Sequence, residues 1–165
     1  MNKGRKKGFT LIEMIAVIAI LAITLMLTYT LFNKAYSTLN RQEQESIVLD
    51  EARNFSSILE EDMKLASDVK TTTLIPGNYG LGSSITVLTE ITNTSSEKYI
   101  YTKEATKIVK YKVSGSTATK MATLANYVVD VQLSPLGTKS YKVYIKSNRK
   151  DIETSFETVV TRRMI

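Results

Sequence analysis

Glu13 is a carboxylate inside an apolar run that follows a basic leader, in the stretch KKGFTLIEMIAVIAILAI. A charge at the centre of a bilayer costs about 2.5 to 3.5 kcal/mol on insertion scales. Cutting the peptide bond after Gly8 would give Phe9 a free amine four residues from Glu13, on or beside the same helical face. An amine and a carboxylate that pair in low dielectric offset much of this cost, within one helix or between neighbours. The carboxylate would then select cleaved subunits and set the stagger between adjacent helices.

The same segment is also compatible with a signal anchor, a secretory signal or a proton relay. A plain signal anchor accounts for the basic residues and the apolar run, and leaves Glu13 to snorkel towards the interface. A cleaved secretory signal usually has a shorter apolar region, of about 7 to 15 residues, and AYS near Ala35 is a poor cleavage site. A proton relay needs a partner that a single span with one carboxylate does not offer.

The apolar run from Phe9 to Phe32 is long enough to cross a membrane. It provides 24 positions without Pro or Gly, and about 20 apolar residues span a bilayer core of roughly 30 Å. Four basic residues precede the run and only Lys34 follows closely. This asymmetry predicts a single-pass protein of the cytoplasmic membrane, with its amino terminus inside and its carboxy-terminal bulk outside.

An amphipathic helical pattern continues beyond the apolar run. Apolar residues recur at spacings of three or four on one face, namely Leu49, Ala52, Phe55, Leu59, Met63 and Ala66. Charged residues mostly occupy the other faces. We expect one helix from about Phe9 to about Ser67, with this stripe buried against a folded domain.

After Asp68 the sequence becomes rich in β-branched and aromatic residues. The loop signal IPGNYGLGSS precedes six predicted strands: SITVLTEI, EKYIYTK, KIVKYKV, NYVVDVQL, SYKVYIKS and SFETVVTR. Alternation places Val109, Tyr111 and Val113 opposite Lys110 and Lys112. It also places Tyr127, Val129, Val131 and Leu133 opposite Asp130 and Gln132. An antiparallel sheet of about four to six strands, with one solvated face and one face on the helix, fits both patterns.

The expected fold class is therefore α+β, a long amino-terminal helix packed against a carboxy-terminal antiparallel sheet. We divide the chain into a basic leader (residues 1–8), a membrane and assembly half of the helix (9–32), an amphipathic half (33–67) and a β-rich globular head (68–165).

The residue inventory restricts chemistry. The 165 residues include no Cys, His or Trp, which excludes disulfides, thiolate or imidazole metal sites, and Cys-His or Ser-His catalysis. Glu60 and Glu61 are adjacent and point about 100° apart on a helix, so they form no catalytic pair. We expect no cofactor, no metal and no enzymatic activity.

The net charge of +6 is concentrated in the leader, because without the first eight residues 18 basic residues face 16 acidic ones. Basic residues near the carboxy terminus, together with several Tyr, make DNA contact an alternative function. Its candidate residues are Lys142, Lys146, Arg149 and Lys150, with Lys139, Arg162 and Arg163 nearby. Lysines on an open sheet also keep it soluble and unpaired, so nucleic acid is not the expected partner.

The string GFTLIE before a long apolar helix resembles the class III signal of type IV prepilins and type II secretion pseudopilins. Its matching residues are Gly8, Phe9, Thr10, Leu11, Ile12 and Glu13. The resemblance implies that a prepilin peptidase cuts between Gly8 and Phe9 and methylates the new amino terminus of Phe9. It also implies that Glu13 contacts the amino terminus of a neighbouring subunit during assembly.

The rest of the chain is similar to minor pilins of the PilW or pseudopilin J type, over YTLFNKAYSTLNRQEQESIVLDEARNFSSILEEDMKLAS and SFETVVTRRMI. The missing Pro in the apolar helix and the missing Cys pair depart from Gram-negative major pilins. The resemblance implies a structural subunit that enters or primes a filament at the cell surface. Its partners would be prepilin peptidase, other pilin subunits, and a membrane platform whose ATPase acts indirectly, since this chain has no phosphate-binding loop. The alternatives are a DNA- or surface-binding tip subunit of a competence or adhesion pilus, and a simple signal-anchored extracellular protein.

Overall fold

The computed structural model describes residues 8–72 and 74–163, and most of the predicted leader, residues 1–7, lies outside them. The chain divides into two compact units, Met1–Gln42 and Glu43–Ile165. Helix α1 covers Leu11–Lys64. It ends at Lys64 rather than near Ser67, because Ala66–Lys70 already pairs with a neighbouring strand.

Eight strands follow the helix within the described residues. They are β1 (Ala66–Lys70), β2 (Ile85–Asn93), β3 (Lys98–Glu104), β4 (Lys107–Ser114), β5 (Thr117–Ala125), β6 (Val128–Pro135), β7 (Ser140–Arg149) and β8 (Ile152–Thr161), with a 3₁₀ turn at Pro76–Tyr79. The strands form two antiparallel sheets, ordered β1-β2-β3-β4-β5 and β6-β7-β8. The α+β class with a long helix against antiparallel strands is confirmed.

The single predicted sheet is replaced by two sheets, and the sequence patterns missed two strands. β1 is short and follows the helix directly, whereas β5 has the exposed sequence TATKMATLA, in which only the last two residues are buried. Between β5 and β6 the chain turns at Asn126 and Tyr127, and Tyr127 has a positive φ of 58°. This turn starts the second sheet instead of extending the first.

The buried stripe of α1 forms the main core. Ala52, Phe55, Leu59 and Met63 are at most 2% exposed, as the spacing predicts, although Val48 rather than Leu49 is the next buried position. They join buried residues of both sheets, including Tyr101, Ile108, Val131, Val143 and Ile145. Removal of this apolar surface from water is the main force that holds the strands on the helix.

Strand β4 is covered on both faces, which corrects the prediction of one solvated face. Val109, Tyr111 and Val113 share a face as predicted, but they belong to a second apolar cluster with Tyr79 of the 3₁₀ turn. Lys110, on the opposite face, pairs with Asp62 of α1. The segment before β2 supplies the second cover, and the strand alternation alone did not reveal it.

Strand β6 also departs from the predicted alternation. Val128 and Val131 are buried, whereas Tyr127 and Val129 are 40% and 49% exposed. The pairing with β7 shifts between Val128 and Asp130. A β-bulge of this kind changes which side chains face the core, so the predicted core positions of Tyr127 and Val129 are wrong.

Candidate functional site

The carboxylate of Glu13 caps the start of helix α1. Gly8, Phe9 and Thr10 are not helical, and the Thr10 carbonyl accepts the first helical bond, from the Met14 N–H at 3.2 Å. The Thr10 N–H and hydroxyl donate to Glu13 Oε2 at 2.8 and 2.9 Å, while the Glu13 N–H donates to Thr10 Oγ1 at 3.3 Å. This reciprocal arrangement is a capping box. The spacing Thr-x-x-Glu before an apolar run is its sequence signature, so the pattern was readable in TLIE and the sequence interpretation missed it.

The peptide bond between Gly8 and Phe9 is open to solvent. Both residues are exposed and lie outside the helix. A Cβ placed on Gly8 would meet no atom within 4 Å, so packing gives no reason for a glycine there. An enzyme that requires a small residue before the cleaved bond would give such a reason.

The apolar part of α1 is almost entirely exposed. Phe9, Leu11 and Ile12 are 83%, 80% and 75% exposed, and the most apolar 18-residue window of the helix has no buried residue. By length and composition the helix is sufficient to cross a membrane. Thr24 and Thr28 donate their hydroxyls to helix carbonyls at 2.8 Å, which satisfies these polar groups without water. An exposed apolar surface of this size indicates contact with lipid or with other helices.

The lysines proposed for DNA contact are paired with carboxylates. Lys142 Nζ lies 2.8 Å from Glu157, and Lys146 Nζ lies 2.9 Å from Glu153. The hydrogen bond to Glu153 raises the pKa of Lys146. These two pairs carry no net charge between them, which weakens their attraction for phosphate.

The other two candidate DNA contacts are arranged differently. The Arg149 guanidinium lies 4.9 Å from the centre of the Tyr127 ring, in a cation–π contact. Lys150 occupies the turn between β7 and β8 with a φ of 51°. The four residues therefore do not form one uniformly basic surface.

A polar cluster inside the second unit ties α1 to the five-stranded sheet. Asp62 accepts a hydrogen bond from the Tyr101 hydroxyl, and Lys110 Nζ lies 2.5 Å from its carboxylate. Lys110 also lies over the Tyr99 ring, 4.6 Å from its centre. Burial and the Asp62 charge raise the pKa of the Tyr101 hydroxyl well above its usual range. Because each polar group has a partner, the cluster is accounted for by packing.

No group of three or more acidic side chains suited to a metal occurs among the residues that the structure describes. The predicted site residues 8–13 lie at the start of α1, where the described hydrogen bonds join Thr10 to Glu13, while Gly8 and Phe9 are exposed.

Residues 3–29 match the family model of the prokaryotic N-terminal methylation motif. The match includes Gly8, Phe9 and Glu13 and extends into the apolar part of α1. No curated protein and no solved structure matches the chain. The motif supports a type IV pilin-like protein that prepilin peptidase processes and that assembles with other pilin subunits. The chain therefore carries a pilin-like methylation signal at the head of an exposed apolar helix, and the two features fit a membrane-anchored protein that later joins a surface filament.

Proposed function

We propose that this protein is a non-enzymatic minor pilin or pseudopilin that enters or primes a type IV pilus-like filament. The observation that carries the proposal is the methylation motif over residues 3–29, at the start of an apolar helix with no buried residue in its most apolar window. The long helix against antiparallel strands agrees with the pilin-like plan expected from GFTLIE. The PilW or pseudopilin J subtype belongs to the proposal and rests on sequence resemblance.

In this proposal the subunit first waits in the cytoplasmic membrane, with its leader inside the cell and residues 68–165 outside. The four basic residues before the span favour this orientation. Prepilin peptidase then hydrolyses the exposed bond between Gly8 and Phe9 and methylates the amine of Phe9. A membrane platform with an assembly ATPase drives the assembly of processed subunits into the filament. This chain contributes the surfaces that contact other subunits.

Glu13 has capacity for two partners. Its Oε2 accepts both bonds from Thr10, while its Oε1 accepts none from the described residues. An ionised carboxylate offers about four acceptor positions, so the capping box leaves room for the amine of Phe9 from a neighbouring subunit. A neighbour that still has its leader offers no free amine at Phe9, which gives the carboxylate a means to select processed subunits.

The test is the intact mass of the protein from its native host. We expect loss of Met1 to Gly8 and addition of one methyl group at Phe9. A Gly8→Leu variant should keep its leader, whereas Gly77→Leu should be processed normally, because Gly77 likewise has no atom near a Cβ. A full-length mass with an unmodified amino terminus would identify a simple signal anchor instead.

A further inference from the structure

The outer edge of β8 is a long strand edge that no described strand covers. β8 is the last strand of the three-stranded sheet, and it pairs only with β7 among the described strands. The Arg162 N–H donates to the Lys139 carbonyl at 2.7 Å, which fixes the phase of this ladder. Every second residue of β8 therefore directs its backbone N–H and C=O away from β7. These outward groups belong to Glu153, Ser155, Glu157, Val159 and Thr161.

The other three sheet edges are interrupted by β-bulges, whereas β8 is not. The pairing register shifts once in β1, once in β6 and twice in β5. Bulges bend an edge strand, and natural proteins use them to keep an edge from pairing with another chain. β8 keeps one register with β7 over its whole length and contains no Lys or Pro. Its outer edge is thus a regular template for a further strand.

The core is also incomplete at this edge. On β7, the core-facing residues Val143 and Ile145 are at most 1% exposed. Their partners on β8, Thr158 and Phe156, are only half-buried, and Phe156 packs at the margin of the main core. A strand added outside β8 would cover Phe156 and remove more of its ring from water.

We propose that the outer edge of β8 binds an extended segment of another pilin-like subunit, which adds a fourth strand to the sheet. The inference deepens the proposed function and rests on it, because that function supplies the other subunits. In such a complex the backbone hydrogen bonds provide affinity and the alternate side chains provide specificity. The segment needs apolar residues on the side of Phe156. On the opposite side it needs neutral or basic residues, because acidic ones would face Glu153 and Glu157.

A second copy of β8 fits this edge less well than a different strand. Glu153 and Glu157 pair with lysines of β7, but their side chains remain 57% and 55% exposed at the edge. Consider two copies of β8 paired antiparallel with their core faces on one side. Every register that pairs more than half of the strand places a glutamate of one copy opposite or diagonal to a glutamate of the other. Like charges in these positions oppose pairing.

A peptide with the sequence of β7, residues 140–149, is a suitable probe for the edge. Its two lysines, Lys142 and Lys146, are four residues apart. Glu153 and Glu157 have the same spacing, so one antiparallel register places a lysine opposite each of them. We would label this peptide with a fluorophore and measure its anisotropy with the full-length protein in detergent.

Ser155 provides matched variants, because its N–H is one of the outward groups. Ser155→Pro removes this donor and leaves the ladder with β7 intact, whereas Ser155→Ala keeps the donor. We expect saturable binding to the wild type and to Ser155→Ala, and at least about tenfold weaker binding to Ser155→Pro. The thermal unfolding of the three proteins should be the same. Equal binding to the two variants would overturn the proposed edge.

A modified peptide tests the same hydrogen bonds with the protein unchanged. In the register that pairs the lysines with the glutamates, the amides of Lys142, Tyr144 and Lys146 face β8. N-methylation of these amides should weaken binding at least about tenfold. No saturable binding of the unmodified peptide, or equal binding of the methylated one, would overturn the proposed edge. Self-association of the wild type that is lost in Ser155→Pro would identify a second copy as the occupant and overturn the proposed partner.

Filaments from the native host test the partner and separate this inference from the proposed function. Incorporation of Ser155→Pro into sheared filaments should be at least about fivefold lower than that of Ser155→Ala. Equal incorporation of the two variants, with intact masses that show processing, would overturn the contact alone. A leader retained in the wild type would overturn the proposed function, whatever the peptide shows.

Discussion

The two units of this chain differ in which of their residues can be interpreted: an exposed motif in the first unit and a buried core in the second. In Met1–Gln42, six residues, Gly8 to Glu13, indicate processing and assembly, and the apolar side chains that follow are exposed. In Glu43–Ile165 the reverse holds, because the buried residues specify a core and no cluster of described side chains indicates a reaction. The first sequence is therefore shaped by external partners, namely a peptidase, lipid and other helices, whereas the second is shaped mainly by its own packing.

The largest effect that we expect is a loss of assembly when Glu13 in the first unit is changed, without a loss of stability in the second unit. Glu13→Gln removes the charge that we propose pairs with a neighbour's amine, so we expect the fraction of the protein in sheared filaments to fall at least about tenfold. The thermal unfolding of residues 43–165 should not change. Thr10→Val removes only the hydroxyl of the capping box and should reduce assembly much less. An equal loss in both variants would show that Glu13 acts through the helix cap alone.

A second prediction compares the same substitution in the two units. Leu59 is fully buried and Leu25 is 68% exposed. Leu59→Ala should lower the free energy of unfolding of the second unit by about 2 to 5 kcal/mol, since it removes packed atoms and leaves a cavity. Leu25→Ala should leave that free energy unchanged and act only on membrane retention or assembly. Chemical denaturation followed by circular dichroism measures the first effect, and similar losses in both variants would contradict the comparison.

The sequence predicted well those elements whose pattern depends on one neighbour. The buried stripe Ala52, Phe55, Leu59 and Met63 follows from helical spacing against a single apolar surface. The methylation motif follows from contiguous residues, and the family model matches it over residues 3–29. The capping box at the helix start also depends only on neighbouring residues, because Thr10 and Glu13 are three residues apart. The sequence analysis did not predict it, because it considered only the apolar and charged faces of the helix.

The division into two sheets was not predictable by the same means. It depends on a turn at Tyr127 and a β-bulge after Val128. Both need particular backbone conformations, which the alternation of apolar and polar residues does not predict. To predict that the second face of β4 is buried, one would need to know that Tyr79 of the 3₁₀ turn packs with Val109 and Tyr111. Long-range placement of this kind is absent from local periodicity.

A third prediction compares two lysine–carboxylate pairs. Lys110 and Asp62 are 14% and 18% exposed, whereas Lys142 and Glu157 are 41% and 55% exposed. Lys110→Met leaves Asp62 with its charge largely buried, so we expect a loss of about 1 to 3 kcal/mol in unfolding free energy. Lys142→Met should cost about 0 to 1 kcal/mol because water screens that pair. Equal losses, measured by denaturation at one salt concentration, would show that burial does not distinguish the two pairs.

The smallest effect is a pH dependence confined to the second unit. Hydrogen bonds from Lys112, at 2.6 Å, and from Tyr99 and Asn93 lower the pKa of Glu97 to about 2, from an ordinary value of 4.5. Because the folded pKa lies below the unfolded one, Glu97 stabilises the fold above about pH 4.5, and this contribution is lost as the pH falls towards 2.

Glu97→Gln tests this contribution by removing the titrating group at the turn between β2 and β3. The wild type should have the higher melting temperature at neutral pH, and the difference should shrink between about pH 4.5 and 2. The difference should be small, since the Glu97 side chain is 40% exposed and solvent screens its ion pair. A difference that stays constant across this range would mean that the variant is less stable for reasons of packing rather than charge. Filament incorporation at neutral pH should be the same in both proteins, because the proposed function assigns assembly to Glu13, which lies in the other unit.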